Sequence, residues 1–320
     1  VGGFEKALLA LEQVEAMAAS ASARAAFPRG LWRYASRSSL DGSLQPYTLY
    51  LPRGYDARRS YGLVLSLHGA SGNDYDAAAR LAQAAPEDLL ILAPFGRGDM
   101  SYSEAGERDV LDVLELVGSA HSVDPDRVYV TGTSMGGYGT WRLAQLYPWR
   151  FAAAAPFAGW TSLDLLENLI PLPLLVVHGD ADEVVPSAPD ENAAGFLSRN
   201  GGSVRLEILP GAGHDAFGAW TKDGGPGRLL AWLGRFKREP WPASVAVRTM
   251  AARTGRGAWA SILGIASSPG QAALVASVVD ERRVSVETEN VSAFELDLRH
   301  PSLAKGGRGI GLFRTEFLFL

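Results

Sequence analysis

Six short apolar runs, each ended by glycine or proline, govern what this chain can fold into: YGLVLSLHG (61–69), DLLILAP (88–94), DRVYVTG (126–132), FAAAAPFAG (151–159), LPLLVVHGD (172–180) and VRLEILPGAG (204–213). A continuous apolar run suits a strand buried on both faces, as in a parallel sheet; a strand with one wet face alternates. Helix-like segments fall between the runs, near 74–85, 104–120, 135–147, 162–169 and 187–199, and RLLAWLGRFK at 228–237 closes the series. The alternation predicts an α/β fold with a mostly parallel central sheet, right-handed crossovers and flanking helices. Ahead of it, RYASRSSLDGSLQPYTLYLPRGYD carries an Asp-Gly turn and the alternating run YTLYLP, read as edge strands.

The rhythm changes at REPWPAS (238–244), where two prolines mark a linker. Beyond it SVAVRTM, AWASILGI, AALVASVVD, RRVSVETE and AFELDLR are strand-like. Val284 and Val286, then Phe294, Leu296 and Leu298, alternate with polar residues as half-buried strands do. The organisation expected is an N-terminal helix (1–30), an α/β body (31–239), a small antiparallel β-rich appendage (240–303) and a tail (304–320). At the N-terminus, Glu5, Glu12 and Glu15 interrupt any signal-peptide core, so the Ala-rich stretch reads as an amphipathic helix. The chain begins at Val1, as a processed form or a fragment does, which leaves secretion or a periplasmic location open.

Composition narrows the function classes. With 47% hydrophobic and 20% charged residues in 320, a folded globular chain is expected. The charge of −5 comes with no dense basic run, so nucleic acid is not an expected partner. The sequence contains no cysteine, which removes disulfides, zinc thiolates and cysteine nucleophiles. No apolar run approaches the roughly 20 residues of a membrane-crossing helix. Oligomeric state is not legible.

The chemistry concentrates at VYVTGTSMGGYGTW (128–141). Ser134 stands in Gly132-Thr-Ser-Met-Gly136, a G-x-S-x-G pattern between an expected strand and an expected helix. A serine held in so tight a turn needs small neighbours two residues away on each side, so that strand and helix can approach. A hydroxyl is a poor nucleophile at neutral pH, and such a serine requires a histidine base and a carboxylate to orient it. In an elbow of this kind the chain order is Ser, acid, His. His214, in PGAGHDAF after the last apolar run, arrives at the carboxyl edge of the sheet; His300, beside Pro301, reads as a surface residue.

Asp180, Asp182 and Glu183 in LLVVHGDADEVVP compete as the acid. Asp182, mid-loop, is preferred to Asp180, which could instead brace the turn, and Asp215 reads as a loop cap. Backbone donors for a developing oxyanion are expected from Met135, directly after the serine, and from Ala70 or Gly69 in LHGASGND. His68 and His178 read as loop braces and His121 as a surface helix-end residue. Phe95, Tyr102, Phe157 and Trp160 are candidate substrate-pocket aromatics, with core packing the alternative for each.

Together LHGASGN, DPDRVYVTGTSMGGYGTW, HGDADEVVP and GAGHD, in this order over about 45–237, resemble the α/β-hydrolase superfamily. The likeness is closest to the group of poly(3-hydroxybutyrate) depolymerases, feruloyl esterases and prolyl-oligopeptidase-type catalytic domains. The resemblance implies Ser134 as nucleophile, Asp182 as acid and His214 as base, with no metal or organic cofactor. It implies a small-molecule or polymeric ester substrate of feruloyl, acetyl or polyester type. The short segment WTSLDLLENLIPLP leaves little room for a lid, which suggests an open cleft. A peptidase of the prolyl-oligopeptidase type is the weaker reading because no propeller-like repeat is present. A noncatalytic polymer- or carbohydrate-binding protein on the same scaffold is a further alternative, and the appendage could bind polymer. The tail GGRGIGLFRTEFLFL resembles a phosphate-contacting motif of phosphoenolpyruvate-utilising phosphotransferases through Arg314 and Glu316. The barrel that holds that motif is missing from this chain, so the tail is read as chance or a fusion scar.

Overall fold

The structure, a computed structural model, describes residues 28–162 and 164–303, together with the backbone of 310–314. The N-terminal helix expected over 1–30, apart from its last three positions, lies outside the described residues, as does the tail apart from that short backbone stretch.

The apolar runs form strands that assemble into one eight-stranded sheet. Its strands are β1 (Gly30–Arg37), β2 (Leu44–Leu51), β3 (Tyr61–Leu67), β4 (Leu89–Pro94), β5 (Val123–Thr133), β6 (Ala153–Phe157), β7 (Leu174–Gly179) and β8 (Val204–Leu209). They lie in the order β1-β2-β4-β3-β5-β6-β7-β8. β1 and β2 form an antiparallel hairpin, β2 pairs antiparallel with β4, and the pairs from β4 through β8 are parallel. Every residue of β3, β4, β6 and β7 is buried. Helices account for that burial: α1 (Asp74–Ala82), α5 (Ala216–Thr221) and α6 (Gly227–Leu233) pack on one face, and α2 (Glu104–Ala120), α3 (Met135–Leu146) and α4 (Ala188–Arg199) on the other.

Within each apolar run the side chains still alternate between two cores. Leu63, Leu65 and Leu67 enter the α2–α3–α4 core while Val64 enters the other; Leu174 and Val176 divide from Leu175 and Val177 in the same way. The period of two is invisible in the sequence because both faces are apolar. Removing one of these side chains costs its transfer energy plus a cavity, about 2–5 kcal/mol for Leu to Ala.

This strand order also decides where a site can form. From β3 the chain passes to β4 on one side and then to β5 on the other, so the loops after β3 and β5 leave adjacent strand ends in opposite directions. Leu67 pairs with Gly132 at that point. A crevice opens at such a switch, on the carboxyl edge of the sheet.

Beyond the linker, β9 (Ser244–Thr249), β10 (Ala260–Ile265), β11 (Ala272–Asp280), β12 (Arg283–Glu289) and β13 (Val291–Asp297) form the small antiparallel appendage. The backbone of β14 (Ile310–Arg314) adds to it. Two three-stranded sheets, β12-β11-β9 and β10-β13-β14, share a core that includes Val247, Trp259, Ile262, Leu274, Phe294 and Leu296.

Several local expectations are corrected. His300 is buried, not at the surface: it packs edge-on against Trp241 and Trp259 and its Nε2 lies 3.2 Å from the Pro242 carbonyl. His121 ends α2 as expected but is buried, with its Nδ1 2.8 Å from the Tyr55 hydroxyl. The helix expected near 162–169 is a single 3-10 turn, Leu166–Leu169, because so short a segment has no room to nucleate an α-helix before Pro171 and Pro173.

That turn joins the appendage to the α/β body. The buried Asn168 side chain donates to the carbonyls of Gln145 and Arg248, both at 2.9 Å, and accepts from the Arg248 N–H at 2.8 Å. It thereby imitates a further strand along β9. Arg253, after β9, reaches the buried Glu107 of α2 at 3.0 Å. Asn168→Ala leaves the Arg248 N–H without its acceptor, and a loss of about 1–3 kcal/mol in urea unfolding is expected; no loss would mean that the junction does not depend on this side chain.

Candidate active site

Between the end of β5 and the start of α3 a single residue, Ser134, carries the turn. Its φ of 60° and ψ of −120° are a conformation that costs a non-glycine residue of order 1–3 kcal/mol. The flanking glycines make the turn possible. A Cβ on Gly132 would lie 2.5 Å from the Gly136 carbonyl oxygen, and one on Gly136 would lie 2.2 Å from that of Leu67. Strand, helix and neighbouring strand therefore touch backbone to backbone. The Ser134 N–H donates to the Phe157 carbonyl at 2.9 Å, and its own carbonyl accepts the Tyr138 N–H, also at 2.9 Å, as the first turn of the helix.

Three loop residues meet in line. Ser134 Oγ lies 2.9 Å from His214 Nε2, and His214 Nδ1 lies 2.7 Å from Asp182 Oδ2. The other oxygen of Asp182 accepts the N–H groups of Val184 and Val185, each at 2.9 Å. Burial opposes ionisation of this carboxyl, but the Val185 N–H, His214 and the Val184 N–H outweigh it and hold it below the usual carboxylate range. The sign is that of a depressed acid: its share of stability is present at neutral pH and is lost only as the pH falls through the lowered value. His214 keeps 29% of its side chain exposed while that of Asp182 is fully buried, so the ring is reachable from solvent and its partner is not.

The other acids have separate work. Asp180 accepts the Gly211 N–H at 2.6 Å and so braces the loop that carries His214. Asp215 caps α5 through the Gly218 N–H. Gly179 had no sequence signal beyond its place at a strand end. A Cβ there would sit 2.1 Å from the Ala212 carbonyl oxygen, so only glycine lets the two loops approach.

The loop after β3 lies against the serine, since a Cβ on Gly69 would be 3.7 Å from Ser134 Cβ. His68 holds that loop with Nδ1 2.8 Å from the Gly69 carbonyl and Nε2 2.9 Å from that of Phe95. Ala70 is exposed at its tip, and Met135 opens α3, where a helix N–H has no intrahelical acceptor.

Two pocket candidates are corrected. Tyr102 is wholly buried, its hydroxyl donating to the His68 carbonyl at 2.9 Å, so it supports the loop and lines no cleft. Phe157 is equally buried against Phe217 and Trp220 and contributes its backbone carbonyl to the elbow. Phe95 is half-buried and stacked on His68, and Trp160 is half-buried and stacked on Tyr138 with ring centres 4.7 Å apart. Among the described residues, no group of three or more His, Asp or Glu side chains is arranged to hold a metal ion.

Residues 91–225, which include Ser134, Asp182 and His214, match the Dienelactone hydrolase family. The chain has the α/β-hydrolase fold. The chain is 31% identical over 166 residues to poly(3-hydroxyoctanoate) depolymerase from Pseudomonas fluorescens, a match that covers 48% of the chain and 58% of that protein. It is 28% identical over 166 residues to the probable feruloyl esterase C of Aspergillus terreus, covering 48% of the chain and 62% of that protein. In both cases it spans less than two thirds of the relative. Among solved structures it is similar to a thermostable esterase, with a TM-score of 0.58 at 24% identity over 65% of this chain and 63% of that one. A ferulic acid esterase from Anaeromyces mucronatus gives 0.51 at 17% identity over 62% of this chain and 91% of that one. Those structural likenesses speak for the fold.

Gly136→Ala forces a methyl into the Leu67 carbonyl, and the thermal midpoint should fall by roughly 10 °C or more. Gly213→Ala meets only the Ala181 carbonyl at 3.8 Å and is the tolerant control. Equal midpoints for the two variants would contradict the packing account.

Proposed function

We propose that this protein is a serine carboxylic-ester hydrolase that works through an acyl-enzyme. The observation that carries the reading is the hydrogen-bonded line Ser134 Oγ, His214 Nε2, His214 Nδ1, Asp182 Oδ2, built from loops after β5, β7 and β8. Ser134 attacks the ester carbonyl carbon while His214 Nε2 takes the hydroxyl proton, and Asp182 steadies the charged ring. The N–H groups of Met135 and Ala70 receive the oxyanion, each worth about 2.7–4 kcal/mol at the transition state. Collapse expels the alcohol, which leaves with the proton from His214. Water, deprotonated by the same ring, then attacks the acyl carbon and releases the acid and Ser134.

The names of the relatives, polyester depolymerases, feruloyl esterases and an acetylxylan esterase, support feruloyl, acetyl or polyester substrates. An open cleft is in keeping with the short segment between β6 and β7, 158–173. Trp160, on that segment, and Phe95 are the aromatic faces proposed to meet the substrate. The appendage meets α3 beyond its first turn: Met250 and Arg253, with Tyr138 and Thr161, line a cleft of about 240 Å³.

Ser134→Ala should reduce p-nitrophenyl ester turnover by roughly a thousandfold or more, and Asp182→Asn by a comparable factor. Asp180→Asn, which only loosens a loop, should retain turnover within about tenfold. Full turnover in Ser134→Ala would end the reading. Trp160→Ala should lower kcat/KM for feruloyl esters by roughly 2- to 12-fold relative to acetyl esters, as loss of one aromatic contact does; equal losses on both would remove Trp160 from substrate recognition.

A further inference from the structure

Behind Asp182 lies a second histidine that the mechanism above does not use. His178 is the penultimate residue of β7, and its side chain is wholly buried. Its Nδ1 is 2.8 Å from Asp190 Oδ2, in the first turn of α4. Its Nε2 is 3.0 Å from the Val185 carbonyl and 3.3 Å from Asp182 Oδ2, the same oxygen that faces His214. Asp190 is itself fixed: Oδ1 accepts from Trp141 Nε1 at 2.8 Å, and the carboxylate also accepts the Gly159 N–H.

The partners of Nε2 are acceptors only, so that nitrogen must carry a hydrogen, and the remaining proton is shared between Nδ1 and Asp190. The charged groups that face the ring are the Asp182 carboxylate, from the loop after β7, and the Asp190 carboxylate, from α4; α3 contributes the neutral indole of Trp141. Burial disfavours a charged ring, but the bond to Asp190 and the fields of Asp190 and Asp182 outweigh it and raise His178 above the usual histidine value. A raised value means that the protonated pair persists to higher pH than an ordinary histidine would and is lost as the pH rises through it. Tying down a loop carbonyl requires one neutral donor. A buried carboxylate behind that donor is costly unless its orientation and proton matter.

We propose that His178, oriented by Asp190, is a positioning residue of the triad: its Nε2–H donates to the Val185 carbonyl and stands 3.3 Å from Asp182 Oδ2, so that it holds the acid loop in place and tempers the negative charge Asp182 offers to the base. This rests on the ester-hydrolase reading. Without His178 the charge of Asp182 acts undiminished on His214, so the protonated His214 ring is favoured and the base-active form is reached only at higher pH.

The test uses the full chain, a soluble p-nitrophenyl ester and the pH profile of kcat/KM. His178→Leu, which fills the space without a donor, should lower kcat about tenfold or more with little change in KM. It should also move the acid limb up by about 0.5 pH unit or more. His178→Gln, whose amide reaches the Nε2 position, should recover at least half of both effects. Asp190→Asn should shift the limb in the same direction by less. If the leucine variant does not fold, the asparagine variant decides. Stability loss with an unmoved acid limb, or identical profiles for the leucine and glutamine variants, would overturn the role. Ser134→Ala is run alongside: if it keeps its turnover, the hydrolase reading itself fails, whereas its loss beside unmoved limbs sinks only the role of His178.

Discussion

The Leu67 carbonyl oxygen and the backbone of Gly136 approach so closely that a methyl group does not fit between them, and the arrangement of the site depends on that contact. It brings β3, β5 and α3 together at the switch point, and it forces Ser134 into a conformation serine does not choose. Once there, the hydroxyl stands at the carboxyl edge, with the loop after β3 beside it and the loops after β7 and β8 opposite. The strain is held by bonds on either side, from the Ser134 N–H to β6 and from the Tyr138 N–H back to the Ser134 carbonyl. Position and exposure are thus built by backbone packing before any side-chain chemistry is considered.

Buried carboxylates lock the helices to that frame. Asp74 ties α1 to β1 and β2 through Arg33 and Thr48, and Glu107 ties α2 to α3 and to the appendage through Arg142, Tyr147 and Arg253. Burial opposes ionisation of Glu107, yet these partners hold its carboxyl below the usual range. Asp190 joins α4 to α3 and β7 through Trp141 and His178. Breaking one partner of such a set costs more than the set contributes, because it strands a charge. The third set differs from the others in ending on Asp182, which makes a structural lock and the proposed chemistry neighbours.

Much of this was legible in the sequence, for definable reasons. Ser134, Asp182 and His214 each follow an apolar run directly, and the ends of parallel strands lie side by side, so sequence order becomes spatial proximity. What was not legible depends on register and on which way a side chain turns. Tyr102, in the loop after β4, and Phe157, the last residue of β6, lie near strand ends as Phe95 and Trp160 do, yet the first two point into the cores. His121 and His300 carry no local sign of the partners that bury them. The pairing of His178 with Asp190 spans twelve positions and appears only when α4 is docked. Helix α5 escaped notice because six residues containing a glycine have no clear period.

On the proposed reading, the geometry around Ser134 makes its hydroxyl a nucleophile. Exposure of the intact protein to a fluorophosphonate, followed by peptide mass spectrometry over time, tests it without assuming a substrate. One stoichiometric adduct is expected, on Ser134, with a rate of formation that falls roughly a hundredfold or more in His214→Ala. No adduct on Ser134, or an adduct formed equally fast without His214, would contradict it.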